Sequence, residues 1–443
     1  MKKLKFLKSL ILTILVVTLT SVNTVANAQN NTGTIEGIIA ESAIVMDMDT
    51  GEVIASKNAD EKMPMASTIK LLTSLIYAEN TSKSEMISFT EDALKTKITS
   101  LNNFKEINVG DKISSNDLMK AVMILSANDA AYLMADSVAG NTKDFVKMMN
   151  DRVKSLGLKD TTIVNPCGLE SDALNPDNKE INLSTAYDMA IIASEAYKNE
   201  WIREIMSDKY KNTSIDLSGS PIIIETRNKI LNQNGNTGGK TGNETKAGHC
   251  FVGFFERDGR NLVTVALKSQ YGVDGTNVFN DTNTIANTGY DAKKQTYKKA
   301  GEELKSIELE YKAFGFFGPK KTINAPIIAL EDVMYYKNDI NDKNIKLEYN
   351  TENKSAWKLA GDEVNMTLSM PNNKSQIVGK VDISIFDLIK SNILFYAVAI
   401  LGLILVLVLI AFIMKFMNSR KRKTRKSIMA RNRRNKKYKM YIK

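Results

Sequence analysis

Two cysteines and one histidine in a chain of 443 residues remove several kinds of chemistry at the outset. Cys167 and Cys250 cannot make a disulfide scaffold, which needs several pairs. Two free, buried thiols are the expected state, and a single bridge between them is the alternative. No Cys/His cluster has metal-ligand spacing, so no metal site is indicated. A Ser-His-Asp hydrolase would have to use His249, yet no serine sits in a Gly-x-Ser-x-Gly elbow. The chain also shows no internal repeat, no Leu-Pro-x-Thr-Gly sorting motif, and no acidic residue in its last 29 positions.

The charge is accordingly lopsided. Net charge is +10, but four lysines fall in the first eight residues and 14 Lys/Arg in the last 29, so the body between them is net acidic. Residues 1–28 read as a secretory signal, with a lysine-rich start, an apolar run from Leu10 to Leu19 and Ala26-Asn27-Ala28 as the cleavage site; an uncleaved anchor is the alternative. Residues 393–414 carry no charge and measure about 33 Å as a helix, long enough to cross a bilayer. The basic tail, 415–443, would then stay on the cytoplasmic side, with the body outside. The tail is expected to meet anionic lipid headgroups or to act only as a topology signal. Nucleic acid is not an expected partner, because past Phe416 the tail's aromatic stacking residues are confined to Tyr438 and Tyr441.

The length suggests two or three domains, and 43% hydrophobic content is ample for a core. Ala43–Met48 and Glu52–Ser56 form an expected hairpin through Asp49-Thr50-Gly51. Helices are expected over Asn116–Leu125, over Asp129–Val138 with Gly140 as its stop, over Phe145–Leu156, and from Ser184 to about Tyr197. Lys209–Ser220 reads as a polar surface excursion. Gly239–Thr245, Cys250–Glu256 and Asn261–Lys268 read as strands. Strands at both ends with helices between suggest an antiparallel sheet with helices around it. From about Gly301 to Val381, short segments alternating in period two point to a small all-β domain.

The chemistry concentrates at Ser67-Thr68-Ile69-Lys70. In a helix starting at Ser67, Lys70 lies one turn on, on the same face. Such a lysine can take the serine proton only if burial or a neighbouring cation lowers its pKa by roughly three units. A helix start also offers free backbone N–H groups to an oxyanion. Ser126-Ala127-Asn128 follows, and then Gly238-Gly239-Lys240-Thr241-Gly242. Three such motifs in this order form a specific signal.

With these motifs the chain resembles the penicillin-binding, active-site serine family, and within it the D-alanyl-D-alanine carboxypeptidases. The resemblance covers roughly Glu36 to Tyr290, including Asn165-Pro166-Cys167-Gly168-Leu169 and Thr226-Arg227-Asn228. It implies an α+β, β-lactamase-like domain over 33–292, then a β-rich domain over 301–385. Relatives often end in an amphipathic helix lying on the membrane, so the transmembrane helix read at 393–414 is a departure from the family. It implies an acyl-enzyme on Ser67, with Lys70 as base, Ser126 relaying the proton to the leaving amine, and Asn128 holding substrate and Lys70. Lys240 and Thr241 would bind the substrate carboxylate, with Arg227 nearby, and Gly239 and Gly242 would let the strand approach closely. The backbone N–H groups of Ser67 and Asn243 would form the oxyanion hole. The implied ligands are peptidoglycan stem peptides ending in D-Ala-D-Ala and β-lactam antibiotics, with no cofactor. A β-lactamase of this fold, or a non-catalytic penicillin-binding sensor, is the alternative. Cys167 stands where the family commonly has a histidine or another polar residue, which puts the local geometry in question.

Overall fold

The computed structural model describes residues 33–349 and 354–440, so the expected signal segment lies outside the described residues. The chain divides into two units. The first runs through Tyr297 and takes in Met334–Glu348 and Thr367–Gln376; the second comprises Lys298–Val333, Tyr349–Met366 and Ile377 onward.

The first unit is built on an antiparallel sheet. Its strands are β1 (Ser42–Asp47), β2 (Val53–Lys57), β5 (Asn236–Glu244), β6 (Gly248–Arg257) and β7 (Arg260–Ser269), in the order β2-β1-β7-β6-β5. Period-two alternation sends successive side chains to opposite faces, and both faces are covered. Ile44, Met46, Val252, Phe254 and Val265 face one core; Val45, Phe251, Phe255 and Ala266 face a second one. The second core is closed by α7 (Asn277–Asp291) through Val278, Phe279 and Ile285.

The first core is mostly helical. It holds α1 (Lys70–Asn80), α3 (Asn128–Ala139), α4 (Thr142–Ser155) and α5 (Ala186–Lys198), with the shorter α2 (Ser115–Lys120) and α6 (Glu200–Met206). Leu71, Leu72, Leu75 and Ile76 bury α1 almost completely, each stabilising the fold by about 2 kcal/mol. Gly140, at φ 77°, ends α3 in the left-handed region, as its position in the sequence predicts.

Three departures from the sequence reading matter for the site. No α-helix begins at Ser67: Ala66–Ile69 is a 3-10 turn entered through Ala66 at φ 47°, and the α-helix starts at Lys70. The expected helix to Leu125 is α-helical only to Lys120; Ala121–Leu125 is a π-turn, and Ser126 leaves it left-handed at φ 65°. The stretch read as a surface excursion is largely a hairpin, β3 (Asn212–Leu217) with β4 (Ser220–Glu225), whose Ile215, Leu217 and Ile224 are buried. Polar residues at alternate positions hid that period.

In the second unit, β8 (Glu303–Lys312) pairs along its length with β9 (Lys320–Ala329). Ile307, Leu309 and Tyr311 face inward while Glu308 and Glu310 face solvent. The end of β9 pairs with Gly379–Val381, within the part of β11 (Asn373–Val381) that belongs to this unit. β10 (Glu363–Met370) precedes β11, and residues 367–376 of the two strands belong to the first unit. A capped short helix, α8 (Ile385–Lys390), leads to α9 (Ile393–Met440), a single helix of 48 residues. Its first part is long and apolar enough to cross a membrane, and none of that part is buried in the protein. The helix continues through the basic tail, where Lys, Arg, Met and Ala are all good helix formers.

Candidate active site

In a 3-10 turn side chains three apart eclipse one another, which is closer than the α-helical spacing allows. Lys70 Nζ therefore donates to Ser67 Oγ at 2.7 Å. Lys70 is fully buried and donates also to Asn128 Oδ1 at 2.6 Å and to the Cys167 carbonyl at 2.7 Å. Burial, opposed by the carboxylate of Glu244 and helped by the cation of Arg227, lowers its pKa to about 8. The amine is thus poised to accept a proton near neutral pH.

The left-handed backbone at Ser126 turns its hydroxyl toward β5. There Lys240 Nζ donates to Ser126 Oγ at 2.8 Å and to the Thr241 carbonyl at 2.9 Å. Lys240 is buried, and burial together with the nearby charges of Lys70 and Arg227 holds it well below the usual lysine range. Asn128 opens α3; its Nδ2 donates to the Ile98 carbonyl at 2.7 Å, which fixes the amide that receives Lys70.

Ser67, Ser126 and Asn128 line a cleft of about 540 Å³, with Lys70 and Lys240 buried behind them. One wall is β5, the edge strand of the sheet, which leaves Thr241, Gly242 and Asn243 facing the cleft. The other carries Ser67, Ser126 and Asn128. A Cβ at Gly242 would lie 2.9 Å from Ser67 N, so only glycine lets the strand lie this close to Ser67. Arg227 lines the same cleft and has no ion pair among the described residues. Seven of the ten expected residues, Ser67, Ser126, Asn128, Arg227, Thr241, Gly242 and Asn243, thus line one cleft. Lys70 and Lys240 are buried behind Ser67 and Ser126, and at Gly239 an added Cβ would meet Phe251 and the Val252 carbonyl.

Two groups were not expected. Glu244 lines the cleft two residues past Gly242; burial and the neighbouring Glu170 hold its carboxyl above the usual range. Its glutamate identity carries no motif, and only the strand register could have pointed to it. Cys167 contributes its backbone carbonyl, which receives Lys70 and, at 3.3 Å, the Ser67 hydroxyl. Its buried thiol turns instead toward Asn165 Oδ1 and takes no part in the contacts of Ser67 and Lys70. Both cysteines are free and buried, as expected. His249 stacks on Tyr271 and meets Phe279 edge-on, burial lowers its pKa to about 4, and its ring makes no hydrogen bond to a serine among the described residues. Among the described residues no group of three or more His, Cys, Asp or Glu could hold a metal ion.

A serine held on a buried lysine, beside a second lysine and a free strand edge, defines the penicillin-binding class of active-site serine proteins. Residues 26–270 match the family described as D-alanyl-D-alanine carboxypeptidase, peptidase S11, and the chain belongs to that family. It is 29% identical over 229 residues to the D-alanyl-D-alanine carboxypeptidase DacF of Bacillus subtilis, covering 52% of this chain and 57% of that one. It is 32% identical over 237 residues to DacC of Escherichia coli, covering 52% and 56%. The chain thus spans little more than half the length of these curated relatives. Among solved structures, penicillin-binding protein D2 of Listeria monocytogenes, in an ampicillin-bound form, is 28% identical with a TM-score of 0.50, covering 58% of this chain and 99% of that one. A D-alanyl-D-alanine carboxypeptidase of Mycobacterium tuberculosis is 25% identical with a TM-score of 0.53, covering 58% and 94%.

Proposed function

We propose that this chain is a serine-type D-Ala-D-Ala carboxypeptidase that removes the terminal D-alanine from peptidoglycan stem peptides and is acylated by penicillins. The observation that carries this reading is the 2.7 Å contact between Ser67 Oγ and a lysine whose pKa is lowered to about 8. Ser67 Oγ attacks the carbonyl of the penultimate residue as its proton passes to Lys70. The resulting oxyanion is received by the backbone N–H groups of Ser67 and Asn243. When the C–N bond breaks, the leaving amine takes a proton relayed through Ser126, whose oxygen Lys240 orients. Water then attacks the ester with Lys70 again as base. Lys240, Thr241 and Arg227 recognise the carboxylate of the departing residue.

The chain's placement follows from α9. The apolar segment anchors the protein in the cytoplasmic membrane, with the residues ahead of it outside and the basic tail inside, where its lysines and arginines meet anionic headgroups.

The test is D-alanine release from a peptide ending in D-Ala-D-Ala, measured beside penicillin labelling at Ser67. Labelling with no release would replace the carboxypeptidase by the sensor reading. Labelling that decays within seconds would favour a β-lactamase.

A pH dependence follows from the same geometry. Lys70 must be neutral to act, so penicillin acylation is expected to rise about tenfold per pH unit below 8 and to level off above it. The negative charge of Glu244 raises the Lys70 pKa, so Glu244→Gln is expected to move that limb to lower pH. Stopped-flow acylation rates from pH 6 to 10 would check both. A limb in the variant that stays where the parent has it would remove Glu244 from the account.

A further inference from the structure

The turn between β8 and β9 reads Ala313-Phe-Gly-Phe-Phe-Gly-Pro319, with Phe316 82% and Phe317 52% exposed. This is not a loose loop. Gly315 N donates to the Lys312 carbonyl, Phe314 N to the Phe317 carbonyl, and Ala313 N to the Pro319 carbonyl. Trp357 Nε1 donates to the Lys312 carbonyl at 2.7 Å. The turn is also fixed to the start of α9. Phe314 stacks on Phe317 and packs its ring 5.5 Å from Phe395 and 5.3 Å from Tyr396, and the Tyr396 hydroxyl donates to the Ala313 carbonyl. Asn392, just before α9, donates to Tyr311 Oη at 2.9 Å.

Two phenylalanine rings are therefore presented to solvent on a rigid turn, continuous with the first turn of the apolar helix. Exposed aromatic clusters of this kind mark contact surfaces, and aromatic side chains at the end of a span settle at headgroup level. Lys320 and Lys321 follow directly, and Lys321 Nζ lies 5.6 Å over the Phe395 ring, where basic groups suit lipid phosphates.

We propose that the Phe314–Phe317 turn is a second membrane contact. Phe316 and Phe317 insert at the headgroup–acyl boundary of the leaflet that α9 enters, with Lys320 and Lys321 at the phosphates. A span alone leaves a domain free to tilt and rotate about its own axis; an aromatic wedge beside it restrains both for the second unit. The inference rests on α9 being a bilayer span.

The test uses the full chain reconstituted in vesicles of phosphatidylcholine and phosphatidylglycerol, with or without bromine on the acyl chains. An environment-sensitive fluorophore is placed by Phe316→Cys, by Leu403→Cys within α9, or by Val273→Cys on a fully exposed site of the first unit. The expected result is strong quenching by brominated lipid at 403, clear quenching at 316 and none at 273. Quenching at 403 with a probe at 316 no more affected than at 273 overturns the inference and leaves the span standing. No quenching at 403 removes the span and the inference together. Shielding of the 316 probe that grows with protein concentration, without lipid quenching, overturns it in favour of a second copy as the occupant.

Discussion

Replacing Lys70 by alanine is expected to lower the rate of acylation by about 10³-fold to 10⁶-fold, and Ser67→Ala to abolish it, with the double variant no worse than the worse single one. The reason is visible in the contacts of one nitrogen. Lys70 Nζ is the only group that donates to Ser67 Oγ among the described residues, and it also fills Asn128 Oδ1 and the Cys167 carbonyl. Alanine leaves the serine without a base and Asn128 Oδ1 without its lysine donor, while the Cys167 carbonyl keeps only the Ser67 hydroxyl. The two residues act as one unit, which is why their losses do not add. Penicillin labelling followed by mass spectrometry would read the acyl-enzyme directly. A Lys70→Ala protein that still acylates within tenfold of the parent at pH 8 would transfer the role of base to Lys240 acting through Ser126.

Gly168→Ala is expected to slow acylation by at least about a hundredfold, with the protein still folded. Gly168 stands at φ 89°, and a Cβ there would sit 2.1 Å from the Ala66 carbonyl oxygen and 3.0 Å from Ser67 N. Both atoms are backbone, so no side-chain rotation relieves the clash. The 3-10 turn that carries the nucleophile must shift, and with it the oxyanion N–H and the overlap of Ser67 with Lys70. Gly140→Ala is the control: it has a similar φ of 77° with nothing within 4 Å, so it costs backbone strain of about 1 kcal/mol without touching the site. Thermal unfolding and acylation rate should therefore separate. Both variants lose stability, and only Gly168→Ala loses chemistry. Acylation by Gly168→Ala at the parent's rate would show that the nucleophile turn does not depend on this contact.

Much of the site was legible because its chemistry is short-range in sequence. Ser67 and Lys70 are three residues apart, and the two other motifs are compact. What could not be read was the backbone that delivers them. The 3-10 turn depends on Ala66 being forced left-handed by its surroundings, and the π-turn before Ser126 on packing of Val122, Ile124 and Leu125 in the helical core. Neither has a propensity signature, since both are strained conformations selected by tertiary contacts. The β3–β4 hairpin escaped for a different reason. It buries only three apolar side chains, and Lys209, Lys211, Asn212 and Ser214 around them read as a loop. Glu244 escaped because a lone carboxylate has no pattern until its strand is placed in register beside Ser67.

The burial of two lysines has a thermodynamic side. Lys70 and Lys240 lie in the core with depressed pKa values, while in the unfolded chain each returns to about 10.4. For Lys70, between pH 8 and 10.4 the unfolded chain holds a proton that the folded chain has released, so stability rises with pH across that window. At neutral pH the fold thus carries a standing electrostatic penalty concentrated beside the cleft that Ser67 and Ser126 line. A ligand that brings a carboxylate to Lys240 relieves part of that penalty, so binding at this site and cohesion of the sheet with the helical core are thermodynamically linked.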